Sequence, residues 1–546
     1  MPTIAALIAK HLKNMGIEYA FGIPGKPVVP LILEMEEQGI HFGLSRHECG
    51  AGYIATGYAM QNKTLGVAIG TSGPGGTNML TAAAQAKAYH APVLFITGQP
   101  PTTENGKALG QDSSMFGTDL VEMFRPVTLF SARVEDPRTI QSYLQHALEK
   151  SLTGQKGPVH LSIPLNVLTS ETMPHQFPEF QLEDIPVSGN IHQALDIINK
   201  AKKPLLYLGK GIHIANAYEE VLTFAETWNI PVMTTPGGKG TFPTQHPLSL
   251  GSFGLGGTEA SSSYLSSGID LLIVIGSKLS DMSLAGFSPD LYPKHVIHFD
   301  MNSTFVGKSI PVKTTLVQGD AKRNLQELLQ YKQHAAVKSV DLSIHKQKDL
   351  ENFDGQTESG PRLSAAKVMG ELRELLPEET VMYGDDGSHT FYAIKYYDII
   401  KQGTFFFDDV FGAMGHGIGF SIGAKLANPN IPVVCLTGDG CLFMHGTEIS
   451  TAVDLKANVL FIVLNNGMLD MVDKGMLYNI GRTAGTRYDF ELNAKEFARS
   501  MGANGYRCST INELREAVSK GLSEDDPTVI EVMVNKDEIP PTMKRG

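Results

Sequence analysis

Two short stretches of the chain combine residue types that could hold a metal and an anion together. "LTGDG" at 436–440 and "LNNGM" at 464–468 each end an apolar run and set glycine beside a polar side chain, and Asp439 and Asn466 lie 27 residues apart. A carboxylate, an amide oxygen and a nearby main-chain carbonyl form a hard-oxygen set suited to Mg²⁺, which in turn takes phosphate oxygens. Glycine lets the backbone approach a bulky anion, and a helix expected to begin near His445 would direct free N–H groups and its positive end toward it. A G-D-G tripeptide alone is most often a turn. It can serve a ligand if both stretches end neighbouring strands, because ligands of open parallel sheets bind beyond the carboxyl ends of the strands.

The rest of the chain reads as a scaffold able to supply such strands. At 546 residues it is long enough for about three or four domains, by the rough scale of 100–200 residues each. Apolar runs at 18–22, 64–70, 92–97 and 158–163 alternate with helical periods such as 49–60 and 136–150. The rhythm recurs with strand candidates at 204–209, 230–235, 270–276 and 295–300, and again at 380–383, 432–437, 459–464 and 527–534. Strand–helix alternation predicts α/β architecture with open, mainly parallel sheets. The proline-rich 170–186 and the polar 345–361 read as linkers, which gives three units at 1–169, 187–335 and 360–546.

A net charge of −12 without a Lys/Arg-rich stripe argues against nucleic acid as a partner. No run of 18 apolar residues predicts a membrane span, and the opening segment reads as an amphipathic first helix rather than a signal peptide. Cys49, Cys435, Cys441 and Cys508 form no C-x-x-C pair and read as reduced structural thiols of a cytoplasmic protein.

G-D-G followed about 27 residues later by N-N, after an apolar strand, resembles the signature of thiamine diphosphate enzymes. Five further stretches occur with this pair in the order seen in the acetolactate synthase-like branch: "AFGIPGKPVVPL" (20–31), "RHECGAGYIATGYA" (46–59), "GTSGPGGTN" (70–78), "GPVHLSIPLNV" (157–167) and "FGAMGHGIGFSIGAKLA" (411–427), while "DDGSHTF" (385–391) carries Ser388 and His389. The resemblance covers nearly the whole chain. It implies an N-terminal pyrimidine-binding domain, a central domain and a C-terminal diphosphate/Mg-binding domain, with active sites formed between two chains of a homodimer or homotetramer.

The same resemblance implies roles residue by residue. Glu48 matches the family glutamate that hydrogen-bonds the pyrimidine ring and manages its proton. Pro24, Thr71, Pro74 and Asn78 fall where the family lines the pyrimidine site. Gly412 would accept from the 4′-amino group, and Met414 matches the wedge that bends the cofactor. Ser388, His389, Gly438, Gly440, Cys441 and Met471 fall around the cofactor's other end, and Asp439, Asn466 and the main-chain oxygen of Met468 would hold Mg²⁺. The implied activity is decarboxylation of a 2-oxo acid with transfer of the acyl carbanion to a carbonyl acceptor. A simple decarboxylase or C–C lyase or hydrolase of the same superfamily is the alternative, and a non-catalytic cofactor-binding subunit a more distant one.

Several positions leave the family pattern. Gly475 stands where acetolactate synthases carry a tryptophan, and the single tryptophan of the chain is Trp228. Ser280-Asp281-Met282 replaces a D-D-R triplet, so the arginine expected to hold a carboxylate is missing and FAD is doubtful. Met115 and Phe116 replace a Phe-Gln pair. Lys26, Gln111, His416, Asp470 and Lys474 are the candidates for a different acceptor pocket. "GLGG" (254–257) follows no recognisable strand, which argues against a plain dinucleotide binder.

Overall fold

The computed structural model describes residues 1–173, 186–346 and 362–543. The core of the 170–186 linker and most of the 345–361 linker lie outside them. Eighteen named strands form three six-stranded sheets in which every pairing is parallel. The first sheet contains β1 (Tyr19–Gly22), β2 (His41–Leu44), β3 (Gly66–Gly70), β4 (Val93–Gln99), β5 (Phe130–Arg133) and β6 (Val159–Pro164). The second contains β7 (Pro204–Leu208), β8 (Val232–Thr234), β9 (Ser249–Ser252), β10 (Leu271–Ile275), β11 (His295–Asp300) and β12 (Thr314–Gln318). The third contains β13 (Val381–Gly384), β14 (Phe405–Phe407), β15 (Val433–Gly438), β16 (Leu460–Asn465), β17 (Asn504–Cys508) and β18 (Thr528–Met533).

Strand order is β2-β1-β3-β4-β6-β5 in the first sheet and β14-β13-β15-β16-β18-β17 in the third, so the two have the same topology. The central sheet runs β12-β11-β10-β7-β8-β9, the order of a dinucleotide-binding fold. Inner strands such as β3, β4, β10 and β16 are buried along their whole length, which is why they read as continuous apolar runs. The six strands that the sequence reading passed over, β2, β5, β9, β12, β14 and β17, are the two edges of each sheet.

The first and third domains meet along two helices, Glu48–Asn62 and His416–Ala427. Both are buried over most of their length, and their contact belongs to a core cluster that spans the two domains. Glycines make the approach possible: a Cβ on Gly423 would lie 2.0 Å from the carbonyl oxygen of Ile54, and one on Gly57 would lie 2.1 Å from that of Phe420. The helices touch backbone to backbone. The helix Glu48–Asn62 begins with Glu48, and the helix His416–Ala427 begins two residues after Met414, so this seam fixes two candidate site segments against each other.

Among the described residues no helix is long and apolar enough to cross a membrane. The four cysteines are free and buried.

Candidate active site

A cavity of about 200 Å³ opens at the carboxyl ends of β13, β15 and β16. Asp439 and Asn466 both line it, each the first residue past its strand, β15 and β16. These strands are direct neighbours in the sheet. The helix after β15 spans Asp439–His445, so it ends rather than begins at His445. The correction has a local cause: Gly438 is extended at the N-cap, and Asp439 takes the first helical position with its Oδ1 accepting from the N–H of Gly440 at 2.8 Å.

The Asp439 carboxylate also reaches across to the second stretch, its Oδ2 accepting from the N–H of Gly467 at 2.7 Å. Gly467 has φ +79°, a turn that favours glycine. The two asparagines divide the work. Asn465 is fully buried, donating to Leu492 O at 3.0 Å and Glu531 Oε1 at 2.7 Å and accepting from the N–H of Gly467 at 3.2 Å. Asn466 lies on the cavity wall with Met468, whose N–H it accepts at 3.3 Å.

Burial pushes the Asp439 carboxyl up to about 6, against backbone N–H groups of Gly467, Gly440, Asn466 and Met468 that favour its ionised form. A cation would relieve this cost. Among the described residues no three His, Cys, Asp or Glu side chains converge on a metal site. A metal here would therefore rest on one carboxylate supplemented by amide and main-chain oxygens, as the sequence set provides.

Ser388 and His389 open the helix Ser388–Tyr396 and are buried on the same wall. His389 is not a solvated helix-start residue. Its ring is wedged between Gly387 and Gly438, where a Cβ would stand 2.7 Å and 2.9 Å away, and burial lowers it to about 4, so it is neutral. Among the described residues Ser388 Oγ and His389 Nε2 have no partner, an arrangement that fits groups reserved for a polar ligand.

Met414 Cε comes within 3.0 Å of where a Cβ on Gly440 would be, and both residues line the cavity. Gly412 (φ +73°) and Met471 also line it. Cys441 is inert as a thiolate, since burial raises it well above the ordinary range, and its Sγ donates to Asp386 O at 3.2 Å.

The first-domain candidates form a separate group. Glu48 is buried, with Oε2 accepting from Asn78 Nδ2 at 2.9 Å, and its helix is capped by His47, whose Nδ1 accepts the N–H of Cys49 at 3.1 Å. A Cβ on Gly25 or Gly75 would stand 2.3 Å or 2.9 Å from the Thr71 side chain, which brings the loops of Pro24 and Pro74 to Thr71. Pro24 and Pro74 are exposed. None of these five residues lines the cavity that holds Asp439.

Two residues with a bearing on the site escaped the sequence reading. Glu448, fully buried, accepts the N–H groups of Arg46 at 3.0 Å and His47 at 2.9 Å and so anchors the approach to Glu48 from the third domain. Nothing in its local sequence marks it. Asp386 lines the cavity against Gly412, and burial pushes its carboxyl up to about 6. The doublet in "DDGSHTF" was its signal. Its neighbour Asp385 behaves oppositely: burial disfavours its charge, but His416 at 3.3 Å outweighs that, and Oδ1 accepts the N–H groups of Gly415 and Asp386.

The five candidates for an acceptor pocket do not converge. Lys26 and Gln111 are exposed on the first domain, and His416 is packed in the seam against Tyr53, Tyr89 and Phe420. Asp470 and Lys474 do line the cavity, paired at 2.6 Å.

The glycine run 254–257 does follow a strand, β9, but it serves packing. Gly254 lies against Met282 O and Gly256 against Phe391. Ser280 faces a larger cavity, about 340 Å³, between the three domains, whose walls share no residue with the cavity at Asp439.

Profiles for the three parts of one family match in order: "Thiamine pyrophosphate enzyme, N-terminal TPP binding domain" at residues 2–123, the central domain at 191–328, and the "C-terminal TPP binding domain" at 385–532. The acetolactate synthase large subunit of Corynebacterium glutamicum is 32% identical over 98% of this chain and 87% of its own length. The chain belongs to the thiamine pyrophosphate enzyme family. The similarity to this family extends to the acetolactate synthase of Arthrospira platensis, 31% identical over 98% of this chain and 95% of its own, and to the acetolactate synthase large subunit of Haemophilus influenzae, 31% identical over 98% and 94%. Thiamine pyrophosphate, synonymous with thiamine diphosphate, is thus the cofactor that the matched domains imply.

Proposed function

We propose that the chain is a thiamine diphosphate- and Mg²⁺-dependent carboligase that decarboxylates a 2-oxo acid of the pyruvate type and transfers the acyl group to a carbonyl acceptor. One observation carries the reading: Ser388 and His389, whose buried Oγ and Nε2 have no partner among the described residues, line the same cavity as Asp439, Asn466 and Met468, while Glu48 is held by Asn78 and does not line it. When bound, the cofactor supplies the electron sink beside a carbonyl that amino-acid side chains lack.

In this reading Asp439, Asn466 and Met468 O hold the metal and, through it, the diphosphate. Ser388 and His389 donate or accept at the same end, and Gly438, Gly440 and Cys441 let the chain come close. Gly412 and Met414 would receive the pyrimidine, and Met471 lines the same cavity. Glu48 holds and returns the proton at the pyrimidine nitrogen, and Pro24, Thr71, Pro74 and Asn78 complete that end.

The two groups lie apart within one chain, so the site is completed by the first domain of a second copy, in a homodimer or homotetramer. The exposed side chains of Phe443, Leu477, Ile480 and Phe490, close in sequence to the cavity residues, support this. The working units are the pyrimidine domain 1–169, the central domain 187–335 and the diphosphate domain 360–546, and the four free buried thiols suit a cytoplasmic setting.

A screen of 2-oxo acids for CO₂ release, with mass spectrometry of products in the presence and absence of an aldehyde, tests the reading. A 2-hydroxyketone or 2-hydroxy-2-methyl-3-oxo acid is expected. Free aldehyde alone would move the assignment to a decarboxylase, and absence of thiamine diphosphate uptake in the presence of Mg²⁺ would refute it altogether.

A further inference from the structure

The segment that carries Gly412 and Met414 is held from all three domains. Asp408, fully buried, follows β14. Its Oδ1 accepts the N–H of Val410 at 3.1 Å, and its Oδ2 accepts those of Phe411 at 2.9 Å and Gly412 at 3.2 Å. The next N–H, that of Ala413, is accepted by Gln85 Oε1 at 3.2 Å, and Gln85 Nε2 donates to Asp408 Oδ2 at 2.6 Å. Gln85 belongs to the first-domain helix Leu80–Tyr89. Two side chains therefore satisfy four consecutive backbone donors.

The central domain supplies the countercharge. Lys210, two residues past β7, donates Nζ to Asp408 Oδ1 at 3.0 Å and stands 3.4 Å from Asp409 Oδ1, over the Tyr89 ring at 5.2 Å. Burial opposes the charge on Lys210, but Asp408 and Asp409 reverse this and hold it protonated. Burial likewise opposes ionisation of Asp408, and Lys210 is the main group that overcomes it, so Asp408 stays well below the ordinary carboxyl range. Truncating one member of such a pair leaves the other as an uncompensated buried charge.

A staple between domains could sit anywhere. This one ends on the N–H groups of the segment whose Gly412 (φ +73°) and Met414 line the cavity, and it makes no bond to Asp439, Asn466, Ser388 or His389, which line it too. We infer that Lys210, acting through Asp408, is a positioning residue that holds the 410–414 loop in the form that receives the pyrimidine end of the cofactor. The inference rests on the thiamine diphosphate reading given above.

The test compares two probes on the full chain by calorimetry with Mg²⁺ in excess: thiamine diphosphate, which engages both ends of the site, and inorganic pyrophosphate, which engages the metal end alone. Lys210→Met is expected to weaken thiamine diphosphate about tenfold, as when the competent loop form is populated about one tenth of the time, with pyrophosphate unchanged. Lys210→Arg should restore most of the loss. Gln85→Leu, which touches the same ladder without burying a lone charge, should show a smaller loss of the same selectivity, and it carries the test if Lys210→Met does not fold. Equal weakening of both probes, or no weakening of either, would overturn the inference. If the unaltered chain bound neither probe, the cofactor reading would fall first, and this inference with it.

Discussion

The first and third sheets share one strand order but differ at their tips, slot by slot. Past the first strand of each, β1 leads to the loop of Pro24 and β13 to Asp385, Asp386, Ser388 and His389. Past the second, β2 leads to Glu48, and β14 leads to Asp408, Gly412 and Met414. Past the third, β3 leads to Thr71 and Pro74, and β15 leads to Asp439. The third domain concentrates carboxylates where the first has hydroxyl, proline and glycine, with Glu48 as its one buried acid in these loops. One topology can thus carry a metal-and-anion end and a proton-handling end, because the fold fixes where loops converge and the loops decide the chemistry.

That contrast can be broken at either end. Glu48→Gln removes the first domain's acid without changing its shape, and proton exchange at the cofactor's reactive carbon should fall by about 10²–10⁴-fold, read by NMR. Exchange at the normal rate would take the proton-handling role away from this domain. On the other side, Asn465→Ala leaves the cavity wall intact but removes the side chain that shares the Gly467 N–H with Asp439. Mg²⁺ affinity should drop by about 10–100-fold, as for groups that orient metal ligands, in a titration of cofactor uptake against metal.

The seam between the domains offers a sharper comparison. Gly423→Val would drive a side chain into the carbonyl of Ile54 and cost about 1–3 kcal/mol, measured by the denaturant midpoint. The smallest effect is a slope. Asp385 is held below its ordinary value, so its contribution to stability is present above that value and is lost as pH falls through the depressed one. His416 is raised above 6.5, burial lowering it but Asp385 more than compensating, so its contribution is present below 6.5 and is lost as pH rises through the raised value. Stability should therefore decline as pH rises from 6.5 through the raised His416 value, and Asp385→Asn should flatten that decline.

How far the sequence could be read follows from burial. Every inner strand of the three sheets lies among the strand candidates, because strands covered on both faces need unbroken apolar runs. Every edge strand escaped, because an edge is short and several are only partly covered: β2 is His-Phe-Gly-Leu with exposed ends, β5 is half-buried throughout, and β9 and β14, though mostly buried, are only four and three residues long. The ligand-like stretches were legible where they are local, as in Asp439 with Asn466. Asp408, Gln85 and Lys210 were not, since their meaning arises from contacts spanning 198 and 323 positions. The helix start misplaced at His445 shows the same limit at short range, because an acid placed directly after the strand can itself begin the helix.

The glycine-lined seam has an arithmetic consequence. It keeps Glu48 and Asp439 of one polypeptide in fixed but separate places, so under the two-chain reading each polypeptide lends one half to each of two centres. A Glu48→Gln chain and an Asp439→Ala chain, each inactive alone, would regain activity on mixing: every hybrid pair contains one centre with both intact halves and one with neither, and random exchange would revive a quarter of all centres.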